Sequence, residues 1–371
     1  MFKELKIKNF NFLLLLSVLS VSVVGILVIQ SATINTGENL AGKQMMGIIL
    51  GVILLLIAAF FDYHYLINLS WPIYIVLNAL LIAVIFFGDS SHGATRWIEL
   101  PVIGTFQPSE IAKIGLIVFF SMFLNFLKDR INKVSSLLII IGLLAIPVGF
   151  VLAQPNLSTS IVIIVMIFCM LFVAGLSYKW IFGTAAVVIP SFLLLIYMVA
   201  QGKQTFLLGY QVRRILSWIS PAENTASYYQ QANSIMAIGS GMLWGKGLNN
   251  TAVDSVKNGN FLSEFKTDFI FSVIGEEMGF LGSLLVIGLL AFIIFECFLT
   301  AARAKDLTGR LICTGVMSLI AFQSFTNIAV VTGIFPNTGL PLPFISYGVT
   351  SLVSMYIGIG LVLNVGLYGK K

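Results

Sequence analysis

Long apolar stretches, separated by short polar breaks, dominate this chain. A hydrocarbon layer about 30 Å thick takes roughly 20 apolar residues per helix. Ten stretches meet that length, at 11–31, 45–61, 69–88, 110–127, 134–153, 157–176, 179–200, 269–299, 310–333 and 344–367. The pattern predicts an all-α polytopic membrane protein, a single integral membrane domain over 1–371. The break between the sixth and seventh spans falls at Gly175–Trp180, where Ser177-Tyr-Lys-Trp180 supplies interfacial residues. The stretch from Phe269 is too long to stand upright and is expected to tilt or project beyond the bilayer. The first stretch follows a basic start, as a signal peptide would, but its length favours a retained span.

Composition supports this reading. The chain is 58% hydrophobic and 10% charged, with a mean hydropathy of +1.00. Soluble domains carry about 25% charged residues, so that class is excluded. Disordered, collagen-like and disulfide-stapled scaffolds are excluded by the same figures. The 36 charges (21 Lys+Arg, 15 Asp+Glu) are not evenly placed. With ten spans, both ends lie on one side, together with Lys3, Lys6, Lys8, Lys128, Arg130, Lys133, Lys179, Arg303, Lys305, Arg310, Lys370 and Lys371. The short opposite loops hold only Lys43 and Arg96. The positive-inside rule therefore places both termini in the cytoplasm. The net charge of +6 is mostly this bias and gives no support to nucleic-acid binding. Cys169, Cys297 and Cys313 lack any metal or disulfide spacing, and His64 and His92 fall on opposite sides, so no metal site is readable.

From 201 to 267 the apolar pattern stops, on the extracytoplasmic face. A loop of this length is usually functional or disordered. Residues 210–219 alternate basic and apolar side chains as an interfacial helix does, and 231–243 reads as a second helix. Lys203, Arg213, Arg214, Lys246, Lys257 and Lys266 outnumber Glu223, Asp254 and Glu264. This excess fits an anionic ligand or, equally, a surface facing lipid headgroups. Asp268 follows at the start of a span, where it is either a helix cap or a carboxylate able to take a proton from a substrate hydroxyl. Glu276 and Glu277 lie deeper, where ionisable groups need a partner or a site. Glu110 and Lys113, at i,i+3, predict an internal ion pair. Gln154–Thr159 and Phe335–Gly348 break helices near the same face, so four polar clusters converge there.

Arg96-Trp97, Phe106-Gln-Pro-Ser-Glu110 with Lys113, Gln154-Pro155, Ala237-Ile-Gly-Ser-Gly241, Gly245-Lys-Gly247, Thr267-Asp-Phe-Ile-Phe271, Gly275-Glu-Glu277 and Pro341–Gly348, in this order over ten spans, resemble the SEDS family (shape, elongation, division and sporulation) represented by RodA and FtsW. The short termini favour the RodA side. The resemblance implies a peptidoglycan glycosyltransferase that polymerises lipid II at the outer face of the cytoplasmic membrane, for cell-wall elongation, division or sporulation. It also implies a class B penicillin-binding protein as transpeptidase partner, and it places the catalytic aspartate on Asp268. Arg96, Trp97, Arg213, Arg214, Lys246, Lys266 and Ser346 are then the candidates to hold substrate. A divalent cation, Mg or Mn, is conceivable on the pyrophosphate, although no cage for it is readable. The chain departs from the family at Asn156, where an aspartate is usual, and at Lys266, where a histidine is usual. A lysine there is expected to lower the pKa of Asp268 if the two approach. Two other functions fit the same spans: a flippase for lipid-linked sugars, gated near Pro341 and Pro343, or a non-catalytic scaffold that activates a partner synthase.

Overall fold

The computed structural model describes residues 9–34, 39–91, 94–100, 104–203, 207–222, 225–249, 255, 262 and 264–368. Lys3, Lys6, Lys8, Lys370, Lys371, His92, Glu223, Asp254 and Lys257 lie outside the described residues. All ten expected spans are helices: α1 (Phe12–Thr33), α2 (Leu40–Phe60), α4 (Ser70–Phe87), α5 (Pro108–Phe126), α6 (Val134–Ala153), α7 (Leu157–Val173), α8 (Tyr178–Ala200), α11 (Ile270–Arg303), α12 (Leu307–Val331) and α13 (Val349–Tyr368). The short α3 (Tyr63–Asn68) joins α2 to α4, while α9 (Gly209–Ile219) and α10 (Thr225–Ser240) occupy the long loop. Nine helices among the described residues are long and apolar enough to cross a membrane, and α7, with 17 residues, is shorter. Its predicted end at 176 moves back to Val173, because Gly175 turns the chain with φ +101°.

Local chemistry sets the other corrections. The second span begins at Leu40 rather than 45, because the Asn39 side chain caps it by accepting from Gly42 N. The last span begins at Val349 rather than 344. Residues 344–348 are held instead in an irregular turn, where Ser346 Oγ donates to Thr267 O (2.6 Å) and Tyr347 N to Lys266 O (2.9 Å). The segment between α4 and α5, expected as a plain loop, forms a small antiparallel sheet in the order β1 (Asp89–Ser91), β2 (Ala94–Leu100), β3 (Gly104–Phe106).

α13 is the axis of the bundle and is buried along nearly its whole length. Glycines let α2 approach it closely. A Cβ on Gly360 would lie 2.5 Å from Leu55 O, and one on Gly51 would lie 2.8 Å from the Tyr356 ring. Small residues serve this purpose in lipid, where apolar burial alone does not drive helices together. Asn364 of α13 donates to Ala58 O (2.7 Å), Ala59 O (3.0 Å) and Phe61 O (2.7 Å), satisfying the free carbonyls at the end of α2. α8 is the opposite case: of its 23 residues only Val199 is buried.

Candidate active site

The irregular segment between α12 and α13 brings the predicted polar clusters together. Arg214 on α9 donates to Thr338 O (3.3 Å), and Ser158 at the start of α7 donates to the same oxygen. Asn327 on α12 donates to Leu340 O and to Asp268 O, both at 2.7 Å. Between these anchors Gly339 adopts φ +73°. A Cβ there would stand 3.2 Å from Asp268 Oδ2 and 3.9 Å from both terminal nitrogens of Arg214. A carboxylate and a guanidinium thus face one small space that a bare glycine keeps open.

That space adjoins a cavity of about 300 Å³ between α7, α8 and α9. Its interior is apolar, with Ile161, Phe192, Leu195, Ile196 and Ile215, while Arg96, Tyr210 and Arg214 supply the polar end. β2 carries Arg96 to the site. Its Nε donates to Gln154 O (3.1 Å) and its Nη2 to Pro155 O, which also accepts from Tyr210 OH (2.9 Å). Tyr210 and Arg214 are one helical turn apart on α9, with the guanidinium 5.7 Å from the ring centroid. Burial lowers the Arg96 pKa, Tyr210 opposes that shift, Arg214 adds to it, and Asp268 opposes it.

Asp268 lies two residues before α11, and its pKa is pushed up to about 6. Burial is the main cause, Glu264 adds to it, and Arg214 and Arg96 pull in the other direction. The expected depression by Lys266 is corrected here: its ammonium lies 5.6 Å from the Phe265 ring centroid, and the cations acting on Asp268 are arginines. Asp268 is not the cap of α11 either, since Phe269 holds the N-cap position and makes no side-chain cap bond.

The other candidates separate by position. Arg213 is exposed on α9, while its neighbour Arg214 lines the cavity. Trp97 follows Arg96 on β2, where successive side chains take opposite faces, and it is not among the cavity-lining residues. Ser346 is a brace, donating to Thr267 O and accepting from Leu342 N (2.8 Å). Lys246 pairs with Glu276 at 2.8 Å, and Ser31 Oγ donates to Glu277 Oε1 at 2.7 Å. Glu110 and Lys113 form the buried ion pair that their spacing indicated, at 2.8 Å. Asn156 accepts from Thr159 N (3.2 Å) and caps α7, a task asparagine performs as well as aspartate. Sequence reasoning passed over Tyr210, Asn327 and Gly339. Tyr210 could have been found from its i,i+4 relation to Arg214, whereas the other two carry no local signal. Among the described residues no three His, Cys, Asp or Glu side chains gather as a metal cage.

The chain is similar to known proteins over nearly its whole length. The sequence model of the FtsW, RodA and SpoVE group, described as cell cycle protein, matches residues 8–371. A probable peptidoglycan glycosyltransferase FtsW of Trichlorobacter lovleyi is 31% identical, over 98% of this chain and 94% of the relative. The peptidoglycan glycosyltransferase MrdB of Escherichia coli is 34% identical, over 96% and 93%. Among solved structures, a chain of a peptidoglycan synthase complex that coordinates polymerization and crosslinking superposes with a TM-score of 0.79 at 28% identity, covering 96% of this chain and 97% of that one. The rod shape determining protein RodA of Thermus thermophilus gives a TM-score of 0.70 at 26% identity, covering 96% of each chain. This multi-span membrane protein belongs to the FtsW/RodA/SpoVE family, the SEDS proteins.

Proposed function

We propose that this protein is a peptidoglycan glycosyltransferase that polymerises lipid II, working at the outer face of the cytoplasmic membrane with both termini inside. The observation that carries the reading is the convergence of Asp268 and Arg214 on Gly339, beside a cavity with an apolar interior and a cationic end. Its relatives named as peptidoglycan glycosyltransferases support the activity, and the bias of Lys and Arg supports the orientation.

The substrates are lipids with anionic, sugar-bearing heads, and the cavity suits them. The apolar walls take part of a polyprenyl chain, while Arg214 and Arg96 meet the pyrophosphate. Asp268 removes the proton from the acceptor sugar hydroxyl as that oxygen bonds to the anomeric carbon of the donor. The bond from that carbon to the pyrophosphate oxygen breaks, and the polyprenyl pyrophosphate leaves with the electron pair. Fixed cations aimed at a developing charge are often the largest catalytic contribution. The elevated pKa of Asp268 suits a base, since proton transfer is most effective when the pKa lies near the working pH. A divalent cation fits this site poorly, because guanidinium groups line the polar end of the cavity. The partner is a class B penicillin-binding protein that cross-links the product, a reading supported by the synthase complex whose chain superposes here.

Purified protein incubated with labelled lipid II is expected to make glycan polymer, and Asp268→Asn is expected to make none while its helical content is kept. Polymerisation by that variant at the unsubstituted rate would remove Asp268 as the base. Translocation of lipid II across vesicles without polymer would identify a flippase. If polymer appears only when an active partner synthase is supplied, the protein is a scaffold.

A further inference from the structure

α11 is not one helix in its hydrogen bonding. At Gly279 the backbone takes φ +66° and ψ −163°, and the ladder is interrupted. In a continuous helix Phe280 N and Leu281 N would donate to Glu276 O and Glu277 O. Here those carbonyls accept from Lys246 N and Gly247 N, both at 2.9 Å. The two released amides donate to Met242 O (2.8 Å) and Leu243 O (3.2 Å). The irregular segment 242–247, hereafter the spliced strand, is thus spliced into the helix, giving and receiving the bonds that the kink frees. Glycine is required for so close an approach. A Cβ on Gly241 would fall 1.9 Å from Gly275 O, and one on Gly245 would fall 2.1 Å from Glu277 O.

The splice closes a mechanical loop around the site. The nine residues from Ile270 to Met278 form a rigid half-helix, and Glu276 lies eight residues, about 12 Å, beyond Asp268. α10 packs against this half-helix at Gly275, and Ser234 and Ser272 share a hydrogen bond of 2.6 Å. α10 runs directly into the spliced strand, and at its other end it follows α9, which carries Arg214. The splice therefore joins the element holding the cation to the element holding the base. An ion pair ties its side chains to the half-helix: Lys246 Nζ to Glu276 Oε1, with the carboxylate 1% exposed and the lysine 25% exposed. Breaking a buried ion pair by removing one partner is strongly destabilising, so this contact is a costly one to lose.

We infer that Lys246 is a positioning residue whose pair with Glu276 locks the spliced strand into α11 and so fixes the spacing between Asp268 and Arg214. This rests on the assignment of Asp268 and Arg214 as base and cation. It removes Lys246 from the groups that grip substrate. A displacement of about 1 Å at the reacting centre costs roughly a hundredfold in rate. The effect then falls on turnover, since the cavity that binds the lipid does not include Lys246.

The test is the steady-state polymerisation of labelled lipid II by purified Lys246→Met, Lys246→Arg, Glu276→Gln and the swapped pair Lys246→Glu with Glu276→Lys, with Asp268→Asn run alongside. The expected result for Lys246→Met is a fall of about tenfold or more in the saturating rate, with the half-saturating lipid II concentration within about twofold of the unsubstituted value. Lys246→Arg and the swapped pair recover most of that rate. A higher half-saturating concentration at an unchanged saturating rate would make Lys246 a substrate ligand and overturn the inference, as would no change in either value. If Lys246→Met fails to fold, Glu276→Gln decides: a lowered saturating rate in a protein of unchanged melting temperature supports the lock, and an unchanged rate overturns it. Activity in Asp268→Asn would defeat the base assignment alone, leaving the Lys246 result to be read separately.

Discussion

A base must ionise, yet Asp268, the base proposed above, is placed where ionisation is disfavoured. Burial and Glu264 raise its pKa to about 6, while Arg214 and Arg96 hold it from rising further. Activity is therefore expected to fall about tenfold per pH unit below about 6. Arg214→Gln removes a charge that lowers this pKa, so the acid limb of its pH–rate profile should move to higher pH. A profile unchanged by that substitution would show that Arg214 does not act on the base. The same shift bears on stability. The folded pKa lies above the unfolded value, so the contribution of Asp268 is most favourable below about pH 4 and is lost as pH rises through about 6. At neutral pH the ionised carboxylate is a net cost, of order 1–2 kcal/mol once its partial exposure is allowed for. Asp268→Asn should thus raise the melting temperature at neutral pH while abolishing polymerisation, an exchange of stability for activity that functional sites often show. Gly339 makes a complementary case. Alanine there adopts a left-handed conformation at a cost of about 1–2 kcal/mol and puts a methyl group between base and cation. Its expected effect is a large loss of rate with the helical content intact.

At the scale of elements, the splice in α11 explains why a span that reads as one apolar run behaves as two pieces. Gly245→Ala should expel the strand, because its Cβ has no room beside Glu277 O. Four backbone hydrogen bonds are then lost, about 1 kcal/mol each. Hydrogen exchange should show Phe280 and Leu281 amides opening faster, with slower polymerisation; unchanged exchange would mean that the strand is held elsewhere. The spans, the two loop helices and the Glu110–Lys113 pair were legible in the sequence because helical periodicity and i,i+3 spacing are local. The kink was not. Its partner strand lies some thirty residues upstream, and a single glycine among apolar residues does not interrupt the periodicity of 269–299. Lys246 looked like a phosphate ligand for the same reason, since its charge was visible and its buried partner on another element was not. The bracing contact of Ser346 was hidden likewise, as its acceptor, Thr267 O, is a backbone atom that no composition reveals.

For the whole molecule, the telling contrast is between α13, buried along its length, and α8, which buries only Val199. Hydropathy carried only a partial hint of this difference: the most buried spans, α5, α12 and α13, are less apolar than α8, because a helix packed among helices can keep polar side chains that a lipid-facing one cannot. The consequence is functional. α8 contributes Phe192, Leu195 and Ile196 to one wall of the cavity, whose opposite wall belongs to the packed bundle. A polyprenyl chain held there would replace lipid contacts on α8 with substrate contacts, so filling the cavity should cost binding more than stability. Leu195→Trp adds bulk into a space of about 300 Å³ from a helix that the core does not rely on. The expected outcome is a rise of about tenfold in the half-saturating lipid II concentration, equivalent to about 1.4 kcal/mol, with the melting temperature and the saturating rate nearly unchanged. A fall in the saturating rate alone would place the lipid tail elsewhere and leave this cavity to the packing of α9. The outcome separates the two sides of the proposed site: chemistry assigned to Asp268, set by the buried helices, and lipid capture assigned to α8, the helix the bundle holds least.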